Sequence, residues 1–307
     1  MHDNLEPPSQ EPSARVAKKA GVKPLRAEKR GQRPDAPLSA KEEWSEFFKT
    51  AMIAIVLALL IRTFLLEPFN IPSGSMKPTL EVGDYLFVSK PAYGFSRHSF
   101  PMSFAPIEGR VLTRDKAPLR GDVIVFKLPT NPTIDYIKRV VGLPGDVVQT
   151  IDGRLYINGT MVDREAVGLR EIEENGVRST VMEYIETLPG GIMHRIYEER
   201  DDGPLDDTEE YNVPAGHYFV MGDNRDNSQD SRVVNLVSFV PLENVVGRAS
   251  FIFFSTNGHA ALHEIWKWPQ TIRYSRLFSG LGPIRPEEEN VVEGAAQEAI
   301  QAEPVTP

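Results

Sequence analysis

The chain has 307 residues, 41% of them hydrophobic and 25% charged, with a formal net charge of −9, 25 prolines, 23 glycines and no cysteine. That length supports a sizeable core in one or two domains, and the composition excludes a fully disordered or collagen-like chain. The acidic balance argues against general nucleic-acid binding, and the lack of cysteine removes thiol catalysis, disulfides and cysteine-bound metal.

Residues 1–44 are basic and lack apolar periodicity; ten Lys/Arg fall between Arg15 and Lys49. They read as a disordered segment. Phe47 to Leu66 is the one long apolar stretch, and residues 45–66 read as a transmembrane helix. Twenty helical residues span about 30 Å, the thickness of a bilayer's hydrocarbon core. Lys49 and Arg62 sit where long side chains reach headgroups, and Trp44 where an interfacial aromatic sits. A buried soluble helix would need a polar face, which Phe47-Phe48 and the run Ala51 to Leu57 do not leave. A cleavable leader would have a shorter preceding region and a small-x-small site before Glu67-Pro68. Because the Lys/Arg cluster precedes the span, the N-terminus is expected in the cytoplasm and residues 67–307 across the membrane, with a single span.

Beyond the span the chain reads as mostly β. Asp122 to Leu128 is a short apolar strand. Asp152-Gly153 and Asn158-Gly159 are hairpin signals, and Val181 to Leu188 and Ile192 to Tyr197 flank Pro189-Gly190-Gly191. His217 to Met221 and Val245 to Phe254 complete the strand candidates, and no long amphipathic helix falls between 67 and 260. The expected organisation is an antiparallel β core from 67–147 and 214–282. A hairpin-rich β subdomain is inserted at 148–213, and an acidic disordered tail covers 283–307. The aromatic loop Tyr93 to Ile107 (Tyr93, Phe95, Phe100, Met102, Phe104), with Trp266 and Trp268, either packs in the core or dips into a membrane surface.

Three segments carry residues that strand propensity does not explain: Ile71 to Leu80, Asp135 to Asp146 and Gly222 to Arg232. In the first, Ser73-Gly74-Ser75 between Pro72 and Pro78 is either an ordinary polar turn or one that presents a hydroxyl to a ligand. A serine hydroxyl needs a base to act as a nucleophile. None of the six histidines (2, 98, 194, 217, 259, 263) lies in the three segments, and His217 reads as a structural strand residue. A lysine serves if burial lowers its pKa from about 10.4 by about three units. Lys138, among Ile137, Val140 and Val141, is placed for that; in a strand it shares a face with Tyr136 and Val140. Lys77 is a rival base, but at a turn outside the membrane it is expected to stay solvated and charged.

These segments, with Arg120 to Phe126, resemble the signature boxes of bacterial type I signal peptidases, the leader peptidases with a serine–lysine dyad. The resemblance covers residues 45 to 255 and implies a largely antiparallel β fold. It implies Ser75 as nucleophile and Lys138 as general base. Ser73 would be an oxyanion donor beside the Ser75 N–H, and Ser228 the hydroxyl orienting the lysine amine. Asp230 and Arg232 would be a structural ion pair. Phe69, Ile71, Met76, Val125, Tyr136 and Ile137 would line shallow S1 and S3 pockets suited to Ala-x-Ala sites. It also implies an acyl-enzyme mechanism without metal or cofactor. The partners would be exported preproteins, the lipid bilayer and the secretion translocon, with no nucleic acid, and the site would face the periplasmic side of the inner membrane. Lys77 departs from the family, where this position is often apolar, and some members have two spans. Three alternatives stand beside this reading: a self-cleaving repressor, which should lack an anchor; a peptidase dedicated to one secretion or conjugation substrate; and a non-enzymatic anchored β scaffold.

Overall fold

The computed structural model describes residues 40–100, 109–111, 117–174, 176–257 and 264–282. The acidic tail, residues 1–39, Met102, Phe104, His2, His259 and His263 lie outside them. The chain divides into two compact units, Met1–Ala51 and Met52–Pro307.

Helix α1 (Ala40–Phe64) runs through that division. Its stretch Glu43–Phe64 contains an 18-residue window of mean hydropathy 1.9 that is unburied, so it is long and apolar enough to cross a membrane. The helix begins earlier than expected because Ala40, Lys41, Glu42 and Glu43 are good helix formers. It ends at Phe64 because Glu67 precedes Pro68, which pushes the backbone into extended geometry. Leu66 therefore starts a strand instead of closing the helix.

In chain order the strands are β1 (Leu66–Asn70), β2 (Asp84–Ser89), β3 (Phe95–Ser96), β4 (Arg110–Val111), β5 (Val123–Leu128) and β6 (Asn131–Gly142). There follow β7 (Val147–Ile151), β8 (Arg154–Ile157), β9 (Thr160–Met161), β10 (Asp163–Glu174), β11 (Val177–Leu188) and β12 (Ile192–Glu198). The last are β13 (Tyr211–Asn212), β14 (His217–Met221), β15 (Val240–Pro241) and β16 (Val245–Ser255). The main sheet has the order β1-β2-β16-β5-β6-β14-β15, with antiparallel pairing throughout. Mostly antiparallel β structure is thus the fold class, as the sequence predicts.

Strand β5 reads as a continuous apolar run because both of its faces are covered. Val123 and Val125 join one core with Ile71, Met76 and Leu86, while Ile124 and Phe126 join another with Val140, Tyr218 and Val220. Strand β6 pairs with β5 along most of its length, but with β14 only through Arg139, Val140 and Gly142. Its first half, up to Lys138, therefore keeps one edge unpaired among the described residues. Tyr93 is buried with its hydroxyl 2.7 Å from Asp122, and Phe95 is also buried, so these two members of the aromatic loop belong to the core.

Residues between β6 and β14 build two smaller sheets, β13-β7-β8-β9 and β10-β11-β12. The hairpin signals are met: Asp152 and Gly153, then Asn158 and Gly159, all take positive φ, matching the twist of the flanking strands. Strand β10 escapes sequence patterning because its exposed face is charged. Arg170 on Glu183 at 2.6 Å, and Arg164 over the Tyr184 ring at 4.4 Å, pair it to β11. Phe126, fully buried under the main sheet, gives a direct test of this packing. Phe126→Ala should lower unfolding free energy by about 3–5 kcal/mol, read as a lower urea midpoint at unchanged slope.

Candidate active site

The turn between β1 and β2 is pinned from below. Ile71, Met76 and Leu80 are buried in the first core, and Leu80 N–H donates to Met76 O at 2.8 Å. Anchoring those three leaves Ser73 and Ser75 at the rim of a cleft, with their hydroxyl oxygens 3.5 Å apart.

Lys138 reaches the same point from β6, where it stands opposite Ile124 of β5. Its Nζ lies 2.7 Å from Ser75 Oγ and 3.0 Å from Ile137 O, and 5.4 Å from the centre of the Tyr136 ring. Only 4% of Lys138 is exposed. Burial pulls its pKa down to about 8, against the opposing pull of Asp230 and Asp223. Near pH 7 that leaves about a tenth of the amines neutral, where an ordinary lysine would leave well under one in a thousand.

The loop after β14 ties the two parts together. Asn224 donates its N–H to Ser75 O and its side-chain amide to Gly74 O, both at 3.1 Å. Its neighbour Asp223 accepts Arg139 Nε at 2.8 Å and Nη2 at 2.6 Å, and Thr79 Oγ1 at 2.5 Å. One buried carboxylate thus joins β6, the serine turn and this loop. Further along, Arg232 grips Asp230 through two 3.0 Å bonds, and Asp230 accepts the Gly222 N–H at 3.0 Å. Arg225 is held by both oxygens of Glu186 from β11. A Cβ on Gly222 would strike the Ser228 hydroxyl and the Ser75 carbonyl oxygen, so the closeness of the loop requires glycine there.

Residues 44–254 match the family described as signal peptidase, peptidase S26. Signal peptidase I of Rickettsia conorii is 40% identical over 264 residues, covering 79% of this chain and 94% of that protein. Signal peptidase I of Pseudomonas aeruginosa is 45% identical over 218 residues, covering 68% and 72%. The chain belongs to the bacterial type I signal peptidase family. A crystal structure of a signal peptidase I from Enterococcus faecalis V583 is 30% identical and covers 44% of this chain and 98% of that one, with a TM-score of 0.26.

As a type I signal peptidase the chain is a serine peptidase, and the residues expected to carry the chemistry can be located. Phe69, Ile71, Met76, Val125 and Ile137 gather in one apolar cluster, while Tyr136 packs on the opposite core and lines the cleft. Ser228 lines that cleft too; its hydroxyl is buried and, among the described residues, has no hydrogen-bond partner, the Lys138 amine being turned to Ser75 and Ile137.

Two residues differ from expectation. Lys77 is buried rather than solvated: its Nζ lies 4.0 Å from Glu81 Oε2 and 3.5 Å from Glu173 O, because the turn folds it back under the β10–β11 hairpin. His194, outside every motif, packs behind the site with Nε2 3.4 Å from Glu186 and 3.9 Å from Asp223. Burial, with Arg139 and Arg225 nearby, holds its pKa well below the usual range, so it stays neutral. Neither His194 nor Lys77 lines the cleft that holds Lys138. Sequence reasoning also missed Asn224 as the clamp on the serine turn. Arg276, which binds Asp84 at 2.6 Å and Thr79 O at 3.0 Å, lies beyond the family match and left no motif to find.

Three carboxylates, Glu198, Asp206 and Asp226, come within 4.8 Å of one another. Asp226 accepts the Glu199 and Arg200 N–H groups, Asp206 that of Gly203, and Glu198 faces Arg164 at 3.4 Å, so all three are engaged in holding loops.

The lowered Lys138 pKa fixes a pH dependence. With Lys138 as the expected base, only its neutral amine would accept the serine proton, so acylation of Ser75 by a serine-directed reagent should rise about tenfold per pH unit below the lysine pKa. It should level off above about pH 9, in stopped-time labelling read by intact mass. Gly222→Ala should cut that labelling rate at least about a hundredfold, through displacement of the Ser75 turn, while circular dichroism stays native.

Proposed function

We propose that the chain removes signal peptides from exported preproteins through an acyl-enzyme on Ser75, with Lys138 as the general base. The observation that carries this reading is the buried amine lying 2.7 Å from a serine hydroxyl at the rim of an open cleft. Neutral Lys138 Nζ takes the hydroxyl proton as Ser75 Oγ attacks the scissile carbonyl carbon. The tetrahedral intermediate collapses as the C–N bond breaks, and the lysine ammonium returns its proton to the leaving nitrogen. Water activated by the same amine then hydrolyses the ester. The Ser73 hydroxyl, 3.5 Å from Ser75 Oγ, and the Ser75 N–H are the proposed donors to the oxyanion.

The unpaired first half of β6 offers an extended substrate a strand edge. Tyr136 and Ile137 line this cleft, and Ile137 packs on the buried Ile71, Met76 and Val125; this apolar surface supports the reading of cleavage after Ala-x-Ala. Asp230 and Arg232 hold the loop bearing Ser228 in place as a structural pair. In this reading α1 is the anchor. The basic residues before it place the N-terminus in the cytoplasm and the β core at the outer face of the inner membrane, beside the bilayer and the translocon that delivers preproteins. The chain organises as an anchor followed by a catalytic core, 67–147 and 214–282, interrupted by a β subdomain at 148–213.

Cleavage of a purified preprotein in detergent tests the assignment. Wild type should release the mature protein after a small residue, while Ser75→Ala and Lys138→Arg should each lose at least about a thousandfold in rate, since a guanidinium cannot act as a base. Processing retained in Ser75→Ala would remove the nucleophile from this scheme.

A further inference from the structure

Ser75 sits where two clefts meet, and the chemistry above accounts for only one. Both clefts share Pro72, Ser73, Ser75 and Asn227. The first, about 670 Å³, is lined by Lys138 with Ile134, Tyr136 and Ile137, and also by Asp135, Arg225 and Asp226. The second, about 640 Å³, contains Lys77, Glu81, Val82, Glu173, Asn257 and Arg273, and not Lys138. A polypeptide with its scissile carbonyl at Ser75 must leave that point in both directions. The first cleft holds the proposed base and the apolar Ile134, Tyr136 and Ile137 that suit the small residues before the cut, so the second remains for the residues after it.

The charges in the second cleft are partly committed: Arg273 donates to Val82 O at 2.7 Å and Ser255 Oγ at 2.8 Å and lies 3.2 Å from Asp84, and Glu173 pairs with Arg178 at 3.2 Å. Glu81 Oε2 lies 4.0 Å from Lys77 Nζ and 3.8 Å from Arg273 Nη1, and Glu173 reaches in from the β10 end of the hairpin with its side chain 57% exposed. Glu81 and Glu173 are part-exposed, and surface pairs of this kind exchange partners at little cost, while Lys77 and Arg273 act on an incoming charge through space.

We propose that this second cleft binds the first few residues of the mature protein and reads their charge. Lys77 and Arg273 favour acidic residues there, and Glu81 and Glu173 favour basic ones. The proposal rests on the peptidase reading, so its test must separate the two. Preprotein peptides identical through the cut, with Asp-Asp or Lys-Lys at the second and third mature positions, would be cleaved by the full chain in detergent micelles. A control pair carries the same charges before the cut. The readout is the ratio of kcat/KM for acidic over basic substrate, which cancels any general loss of activity.

Lys77→Met should lower that ratio about three- to fivefold, and Glu173→Lys, at an exposed position that folding does not depend on, should raise it by a similar factor. A ratio unmoved by both variants, or moved only for charges placed before the cut, would overturn the cleft assignment while leaving the peptidase reading intact. No cleavage by wild type, or cleavage by Ser75→Ala, would overturn the peptidase reading and this proposal with it.

Discussion

The constraint on which the structure turns is the burial of one lysine amine beside a serine hydroxyl. A charged ammonium out of water is costly unless paired, and among the described residues Lys138 donates only to Ser75 Oγ and the Ile137 carbonyl. Asp230 and Asp223 are near enough to act on it through space, but each is committed to its own arginine, Asp230 to Arg232 and Asp223 to Arg139. Had either carboxylate been free to contact the amine, it would have held the proton in place. Neutralising the acids with dedicated arginines is therefore what lets burial dominate.

The same ion pairs set the geometry. Asp223 bridges Arg139 and Thr79, and Asn224, next in sequence, grips the carbonyls of Gly74 and Ser75. The serine is thus positioned from the loop after β14 and the lysine from β6, with one buried carboxylate fixing both. Fully desolvated groups of this kind, each with its hydrogen bonds satisfied, hold side chains to the tolerances that proton transfer needs.

Much of this was legible in the sequence because it is local. Turn chemistry at Asp152-Gly153 and Asn158-Gly159, the two-sided apolar run of β5, and the apolar neighbours of Lys138 all act within a few residues. What escaped is non-local. Thr79 meets Asp223 across 144 positions and Arg276 meets Asp84 across 192, and no pattern within either segment announces its partner. Lys77 was misread as solvated for the same reason: the hairpin that covers it is supplied by Glu173, 96 residues away. Strand β10 was hidden because its stability comes from cross-strand charge pairs with β11 rather than from alternating hydrophobicity.

The central claim, that Ser75 bears the acyl group passed from substrate, is open to direct observation. A preprotein peptide mixed with the enzyme and quenched in acid within the first turnover should leave a covalent adduct whose mass equals the signal-peptide half. Proteolytic mapping should place that adduct on Ser75. An adduct on any other residue, or turnover at the full rate with no adduct trapped at any time, would contradict the account.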